Sequence, residues 1–305
     1  MMGQNLLKVG TRRSPLALLQ AEEVRDRLLA THIGLSVEIV DFSTTGDRIQ
    51  DRTLAAIGGK GLFTKEIEHA LYDGTIDLAV HSAKDMLTEL PQGLVLGPVL
   101  KREDARDVLI SRDVEKLEAL PPGAIVGTAS LRRQAQVLAC RPDLKVVPFR
   151  GNVQTRLRKL NEGRVDATLL ALAGLKRLKK SEIVTEIIDT RVLLPAVGQG
   201  AIALELREGD VNTLQLCTPL NDETTAAEIL SERAMLRVLD GSCRTPIAGF
   251  AVAEKGELYL RALVARPDGS EVIRTERRGG VCDAVELGRD AGQELKQSAG
   301  SDFMS

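Results

Sequence analysis

The chain contains no tryptophan, two Tyr and five Phe, so aromatics are 2% of its 305 residues. That scarcity removes the stacking platforms on which single-stranded nucleic acid is held. An excess of charge is missing too: Lys+Arg 41 against Asp+Glu 43 leaves a formal net charge of −2, whereas a general nucleic-acid binder needs a basic footprint. No apolar run is long enough to cross a bilayer; stretches such as Ala167–Leu175 are far too short. The start, Met1-Met2-Gly3-Gln4-Asn5, lacks the charged region and apolar run of a secretory signal. A soluble, cytoplasmic protein with no membrane and no nucleic-acid partner is therefore expected. The four cysteines, at 140, 217, 243 and 282, form no CxxC pair and do not cluster with His. In a reducing compartment they are thiols, a structural zinc site has no support, and no metal is expected. No GxxxxGK[ST] occurs, and Gly198-Gln199-Gly200 is too short for a dinucleotide fingerprint, which disfavours nucleotides.

What the chain does have is arginine at the start of one predicted helix after another. Thr11-Arg12-Arg13-Ser14-Pro15 opens a helix over Leu16–Ala30, and Gly127-Thr128-Ala129-Ser130-Leu131-Arg132-Arg133 follows the apolar Ala124-Ile125-Val126. Arg150-Gly151-Asn152 repeats the arrangement after Val146-Val147, with Arg156 one turn further in. A helix N-terminus already carries partial positive charge and free N–H donors, so guanidinium groups there make an anion site. Arginine offers bidentate, permanently charged recognition of carboxylate or phosphate. A purely structural helix would be better served by Asp or Glu in its first turn. The repetition points to a ligand with many negative groups, in a cleft that is basic only locally.

Short apolar runs alternate with amphipathic patterns along the first two thirds. Strands are expected at 7–10, 36–42, 76–80, 124–128, 145–149 and 167–171, and helices at 15–30, 63–71, 131–140 and 152–161. Such alternation predicts α/β layers with largely parallel strands, whose ligands bind beyond the strands' carboxyl ends. Residues 43–62, with Gly46, Gly58, Gly59 and Gly61 among charges, read as a lid. One α/β unit is expected to end near 100, and a second to begin between 105 and Pro121-Pro122-Gly123. Beyond 220 the texture changes to a helix at 222–238, strand-like runs at 247–253 and 257–265, a Pro-Asp-Gly turn at 267–269 and a last helix near 283–298, an α+β region. The tail after 299 is expected to fray.

Three groups could carry chemistry. In Asp77-Leu78-Ala79-Val80-His81-Ser82-Ala83-Lys84-Asp85 a strand runs into a turn, and Ser82 and Asp85 have capping-box spacing. Asp85 is therefore either a cap partner or a carboxylate in the cleft able to stabilise a cation and shuttle a proton. His81, on the apolar strand, reads as a hydrogen-bonded core residue. Cys243 lies in a Gly-Ser-Cys-Arg-Thr-Pro loop, where Arg244 favours thiolate; a buried structural thiol is the competing reading. Cys140 and Cys217 read as small apolar residues in regular elements.

Several segments together resemble the porphobilinogen deaminase family (hydroxymethylbilane synthases). They are 11–17, Gly58-Gly59-Lys60-Gly61-Leu62-Phe63, 79–85, Arg102-Glu103-Asp104-Ala105-Arg106-Asp107, 127–134, 150–157, Ala173-Gly174-Leu175-Lys176-Arg177-Leu178, 194–200 and Gly241-Ser242-Cys243. The resemblance implies two lobes like those of periplasmic binding proteins plus a smaller α+β third domain. On that division, residues 1–100 and 200–218 form domain 1, 105–194 domain 2 and 222–305 domain 3. It implies a dipyrromethane cofactor, made from substrate and held by a thioether at Cys243, with Lys84, Ser130, Arg132, Arg133 and Gly151 around it. The implied reaction, part of heme biosynthesis, condenses porphobilinogen units stepwise with loss of ammonia and releases linear hydroxymethylbilane. Asp85 matches the catalytic carboxylate, which hydrogen-bonds pyrrole N–H groups and stabilises an azafulvenium-like cation. Arg12, Lys60, Phe63, Ser82, Thr128, Arg150, Arg156 and Arg177 match substrate-binding positions; Arg13 falls where the family varies. The resemblance also favours a monomer.

Two departures stand out. The family usually places a larger apolar residue where Ala83 stands and Pro where Leu87 stands. Ala83 is expected to leave a small cavity and Leu87 a freer turn. Two other classes compete. A non-catalytic two-lobed anion binder explains the arginines but leaves Cys243 and the last domain idle. A phosphoryl-transfer enzyme lacks phosphate motifs.

Overall fold

The computed structural model describes residues 5–48, 61–239, 245–300 and 303. Lys60, Cys243 and the 49–60 stretch of the expected lid lie outside the described residues. The first third runs β1 (Asn5–Arg12), α1 (Pro15–Thr31), β2 (Leu35–Phe42), α2 (Thr45–Arg48), α3 (Lys65–Tyr72), β3 (Leu78–Ser82) and β4 (Leu94–Val99). There follow β5 (Asp107–Ser111), β6 (Ile125–Gly127), α4 (Leu131–Cys140), β7 (Lys145–Val147), α5 (Val153–Asn161), β8 (Ala167–Ala171), α6 (Leu172–Arg177) and β9 (Glu186–Ile187). The chain ends with β10 (Ile202–Arg207), α7 (Val211–Cys217), α8 (Glu223–Val238), β11 (Ile247–Glu254), β12 (Glu257–Ala265), β13 (Val272–Gly280) and α9 (Ala284–Ala299).

Two compact units emerge. One gathers the described residues of 1–49, 59–103 and 201–226, the other those of 104–200 and 227–305. In the first, five strands lie in the order β2-β1-β3-β10-β4. β1 runs parallel to β2 and β3, and β10 runs antiparallel to β3 and β4. Layers cover both faces, so β3 reads as a near-continuous apolar run. On one face α1 buries Ala17, Ala21, Val24 and Leu28, a helical stripe, against Leu7, Val9, Leu78, Val80 and Leu204. On the other, Ile67, Ala70 and Leu71 of α3 pack with Ile76, Ala79 and Leu94.

In the second unit a five-stranded sheet has the order β7-β6-β8-β5-β9, with β6 parallel to β7 and β8 and β5 antiparallel to β8 and β9. Leu109, Val126, Val137, Leu169 and Leu193 form one buried cluster, and Val108, Phe149, Leu160, Leu170 and Leu175 another. A separate antiparallel sheet, β11-β12-β13, carries α8 and α9 through Met235, Leu260, Ala262, Ala291 and Leu295. The two helices meet backbone to backbone at Gly288 and Gly292. A Cβ on Gly288 would stand 2.1 Å from the Ser231 carbonyl oxygen, which explains glycine at that position.

Three strands depart from the expected pattern. β4 contains Gly97-Pro98, residues that argue against a strand interior. The sheet admits them because its pairing with β10 slips at this point, and a Cβ on Gly97 would lie 2.7 Å from Leu206 Cδ1. β5 hides inside the charged stretch 101–118, because Asp107 at its start is fully buried. β13, Val-Ile-Arg-Thr-Glu-Arg-Arg-Gly-Gly, is mostly charged after its first two residues and ends on two glycines. Pro121-Pro122-Gly123 is a turn within the second unit, after β5 rather than before it.

Candidate active site

Ser14 caps α1, accepting a hydrogen bond from Ala17 N at 3.3 Å, with Pro15 at the first helical position. The strand before it therefore ends by presenting Arg12 at the sheet's carboxyl edge. There Arg12 ion-pairs with Asp47 on α2 and reaches Asp85 Oδ2 at 3.3 Å. Its guanidinium lies 4.2 Å from the centre of the Phe63 ring, a cation–π contact. A side chain at Gly46 would strike that ring, its Cβ lying 2.3 Å from Phe63 Cε1. Burial lowers the Arg12 pKa, but the Asp47 hydrogen bond and the charges of Asp85 and Asp47 leave it raised on balance. Burial acts to raise Asp47; Arg12 and Thr44 outweigh it and hold its carboxyl below the ordinary range. Both described ends of the 43–62 stretch are tied down: Gly46 N donates to Leu62 O at 2.8 Å, and Thr45 Oγ1 donates to Glu66 Oε1 at 2.8 Å.

Asp85 closes a 3₁₀ turn, Ala83–Asp85, that makes no side-chain capping bond. The capping-box reading of Ser82 and Asp85 is thereby overturned. Ser82 turns to α1, accepting from Gln20 Nε2 at 2.9 Å, while Lys84 is exposed. The structure thus brings Arg12, Phe63 and Asp85 together, and Ser82 faces the helix behind them. Arg13 is exposed and pairs with Asp41.

In the second unit the helix-start arginines converge. Ser130 caps α4, Asn152 caps α5, and neither first turn holds an acidic residue. Arg132 and Arg133 both turn inward onto Asp107. Arg132 Nη2 lies 2.7 Å from Oδ2, while Arg133 Nη2 donates to Oδ1 at 2.7 Å. Arg132 Nη1 also donates to Leu194 O at 2.6 Å, and its Nε is buried without a hydrogen-bond partner among the described residues. Gln199 Nε2 completes the knot, donating to Asp107 Oδ1 at 2.9 Å. Burial alone would raise the Asp107 carboxyl, but the two guanidinium charges hold it down at about 2. Burial pushes Arg132 below its ordinary value.

Arg156 is the contrast. It donates from Nε to Gly151 O at 2.9 Å, and no carboxylate pairs with it among the described residues. Burial, then the like charges of Arg133 and Arg150, push it down to about 10. Gly151 sits at φ +124°, a backbone conformation that favours glycine, and a Cβ there would lie 2.7 Å from Thr155 Cγ2. Thr128 is buried, its hydroxyl accepting from Ser130 N at 3.2 Å, and Arg177 Nη2 donates to Gly200 O at 3.1 Å. Cys217 is buried, its thiol pushed up to about 12 by burial, whereas Cys140 is exposed, contrary to its expected apolar setting.

Sequence reasoning passed over Asp47, Asp107 and Gln199. Asp107 left one signal, a lone carboxylate at the head of the apolar run Val108-Leu109-Ile110.

The model of the family "porphobilinogen deaminase, dipyromethane cofactor binding domain" matches residues 7–215, and that of the porphobilinogen deaminase C-terminal domain matches 226–297. The chain belongs to the porphobilinogen deaminase family. The chloroplastic porphobilinogen deaminase of Oryza sativa subsp. japonica is 54% identical over 306 residues, covering 98% of this chain and 86% of that protein. The porphobilinogen deaminase of Paracoccus denitrificans is 51% identical over 303 residues, covering 98% and 96%. Among solved structures, the methionine-binding protein MetQ aligns at 15% identity and TM-score 0.47, over 71% of this chain and 90% of that one. Against the porphobilinogen deaminase pattern, Ala83 is buried and leads into a Met86 that is already extended, at φ −74° and ψ 148°. A following proline requires that conformation. No helix among the described residues is long and apolar enough to cross a membrane.

Proposed function

We propose that the chain condenses porphobilinogen units stepwise, releasing one ammonia per unit, and finally releases linear hydroxymethylbilane by hydrolysis. The family match over nearly the whole chain supports the reaction. The observation that carries the ligand class is Arg156, a half-buried cation crowded by Arg133 and Arg150. Acetate and propionate groups on each pyrrole would supply the counter-charge that Arg156 lacks among the described residues, and a growing chain multiplies them.

The dipyrromethane is held as a thioether at Cys243 and, when bound, supplies the pyrrole carbon on which units are added. Its carboxylates suit the second unit's donor set, which includes the unsatisfied Arg132 Nε, the Arg156 guanidinium and the Ser130 turn. Asp85 accepts hydrogen bonds from substrate pyrrole N–H groups. Its charge stabilises the cation left when the aminomethyl C–N bond breaks and ammonia departs. Arg12, bonded to Asp85 and stacked on Phe63, holds that carboxylate in place and meets substrate carboxylates. Lys60, Ser82, Lys84, Thr128, Arg150 and Arg177 complete the binding set. We assign domain 3, from 222, the task of presenting Cys243, and place the enzyme in the cytoplasm as a monomer.

Intact-mass measurement of purified protein tests the cofactor: a covalent adduct is expected, and it should vanish in Cys243→Ser. An unmodified, well-folded protein that consumes no porphobilinogen would overturn the reading. Asp85→Asn should keep the adduct and lose about 10²–10⁴-fold in turnover; near-normal turnover would remove Asp85 from its role.

A further inference from the structure

One buried polar group takes no part in the site described above. On β3, His81 Nε2 meets Glu205 Oε2 of β10 at 2.8 Å, and the two side chains are 2% and 1% exposed. Glu205 lies two residues along β10 from Ala203, the direct partner of His81, so the contact is a diagonal tie across one sheet face. Glu68, on α3, is buried behind them. Glu205 Oε1 and Glu68 Oε1 have no hydrogen-bond partner among the described residues. Burial and the Glu205 charge push Glu68 up, with Thr64, His81 and His69 opposing. Ile67, Leu71, Ile76, Ala79 and Leu94 form a buried apolar cluster on the α3 side of the sheet. For stability alone, apolar side chains of similar volume would serve as well or better.

What the tie does accomplish is to fix the end of β3. On the opposite face Ser82 is bonded to Gln20, and along the edge Ala83 N donates to Ala201 O at 3.0 Å. Three consecutive residues are thus gripped from three directions, immediately before the turn that delivers Asp85.

We propose that Glu205, backed by Glu68, is a positioning residue for the reaction: by holding His81 it fixes the strand end from which Asp85 reaches substrate. This rests on the reading of Asp85 given above. The pair touches no reacting atom, so its loss affects the rate and leaves substrate binding nearly intact.

The test compares Glu205→Gln with Glu205→Leu in the cofactor-loaded enzyme. The amide keeps a hydrogen bond to His81 and the alkyl chain does not. We expect Leu to lower kcat about 10–100-fold with KM within about threefold, and Gln to restore most of the loss. His81→Gln and His81→Leu should split in the same way from the other end of the bond. Equal losses for Gln and Leu, unchanged kcat in the Leu variant, or a loss confined to KM would overturn the proposal. So would failure of both Leu variants to fold, since the role would then be structural. Asp85→Asn, measured alongside, separates the two ideas. If Asp85→Asn keeps its turnover, the reading of Asp85 fails. If Asp85→Asn is inactive while Glu205→Leu is normal, only the positioning role fails.

Discussion

The two five-stranded sheets correspond strand for strand, β2-β1-β3-β10-β4 with β7-β6-β8-β5-β9, each with one antiparallel member in the fourth place. That member comes last in the chain in the first sheet and first in the second. The charges on the two frames differ more than the frames do. In the first unit, Arg12 faces two carboxylates, Asp47 and Asp85. In the second, Arg132 and Arg133 share one carboxylate, Asp107, and Arg156 has none among the described residues. Arg12 is thus matched by carboxylates, whereas Arg132, Arg133 and Arg156 have Asp107 alone among the described residues. The residues at the strand ends and turns, and not the architecture, set this difference.

Replacing Asp107 by Asn breaks the comparison most severely, because two buried guanidinium groups lose their counter-charge. We expect a loss of about 3–5 kcal/mol, read by denaturant unfolding; a loss below about 1 kcal/mol would show that the knot is dispensable. The Asp107 carboxyl lies at about 2 in the fold against an ordinary 3.8. Its stabilisation is thus present in full above the ordinary value and is lost as pH falls through about 2. The Asn variant should lack that acid-dependent component.

Arg156→Gln sharpens the contrast from the other side. Its folded pKa, about 10, lies below the ordinary 12.5, so its charge disfavours the fold at neutral pH, and the penalty is relieved as pH rises through 10. Removing it should stabilise the ligand-free protein by about 1–2 kcal/mol, allowing for solvent screening. KM for porphobilinogen should rise about 10–100-fold in the same variant. A lower melting temperature would count against a penalty from burial and like charge at Arg156.

The smallest effect is expected in the balanced unit, where Leu87→Pro follows the extended Met86. A gain of about 0.4–1 kcal/mol in thermal unfolding is expected. No change in either melting temperature or turnover would show that the departure at 87 is neutral.

The alternation of strands and helices was legible because helices such as α1 and α4 bury one face and strands such as β3 and β8 are mostly apolar. α4 and β8 lie where the pattern puts them, at Leu131–Cys140 and Ala167–Ala171. β4, β5 and β13 were hidden by Gly97-Pro98, by buried Asp107 and by the charged run Arg274-Thr275-Glu276-Arg277-Arg278. These features make sense only once the partner strand is known. The arginines at helix starts could be read singly, but their fates could not. Arg132, Arg133 and Arg156 share a local setting, yet Asp107, more than twenty residues away in sequence, separates the first two from the third.

β10 also has a consequence for how the protein is made. The first sheet needs it between β3 and β4, yet about a hundred residues separate the end of β4 at Val99 from Ile202. At about 5–20 residues per second the ribosome adds that stretch in roughly 5–20 seconds. Throughout that time β3 has an open edge, β4 has no neighbour, and His81 lacks Glu205. Unpaired edges of this kind invite association between nascent chains. A messenger truncated anywhere between the codons for 100 and 201 therefore yields a first unit missing its fourth strand.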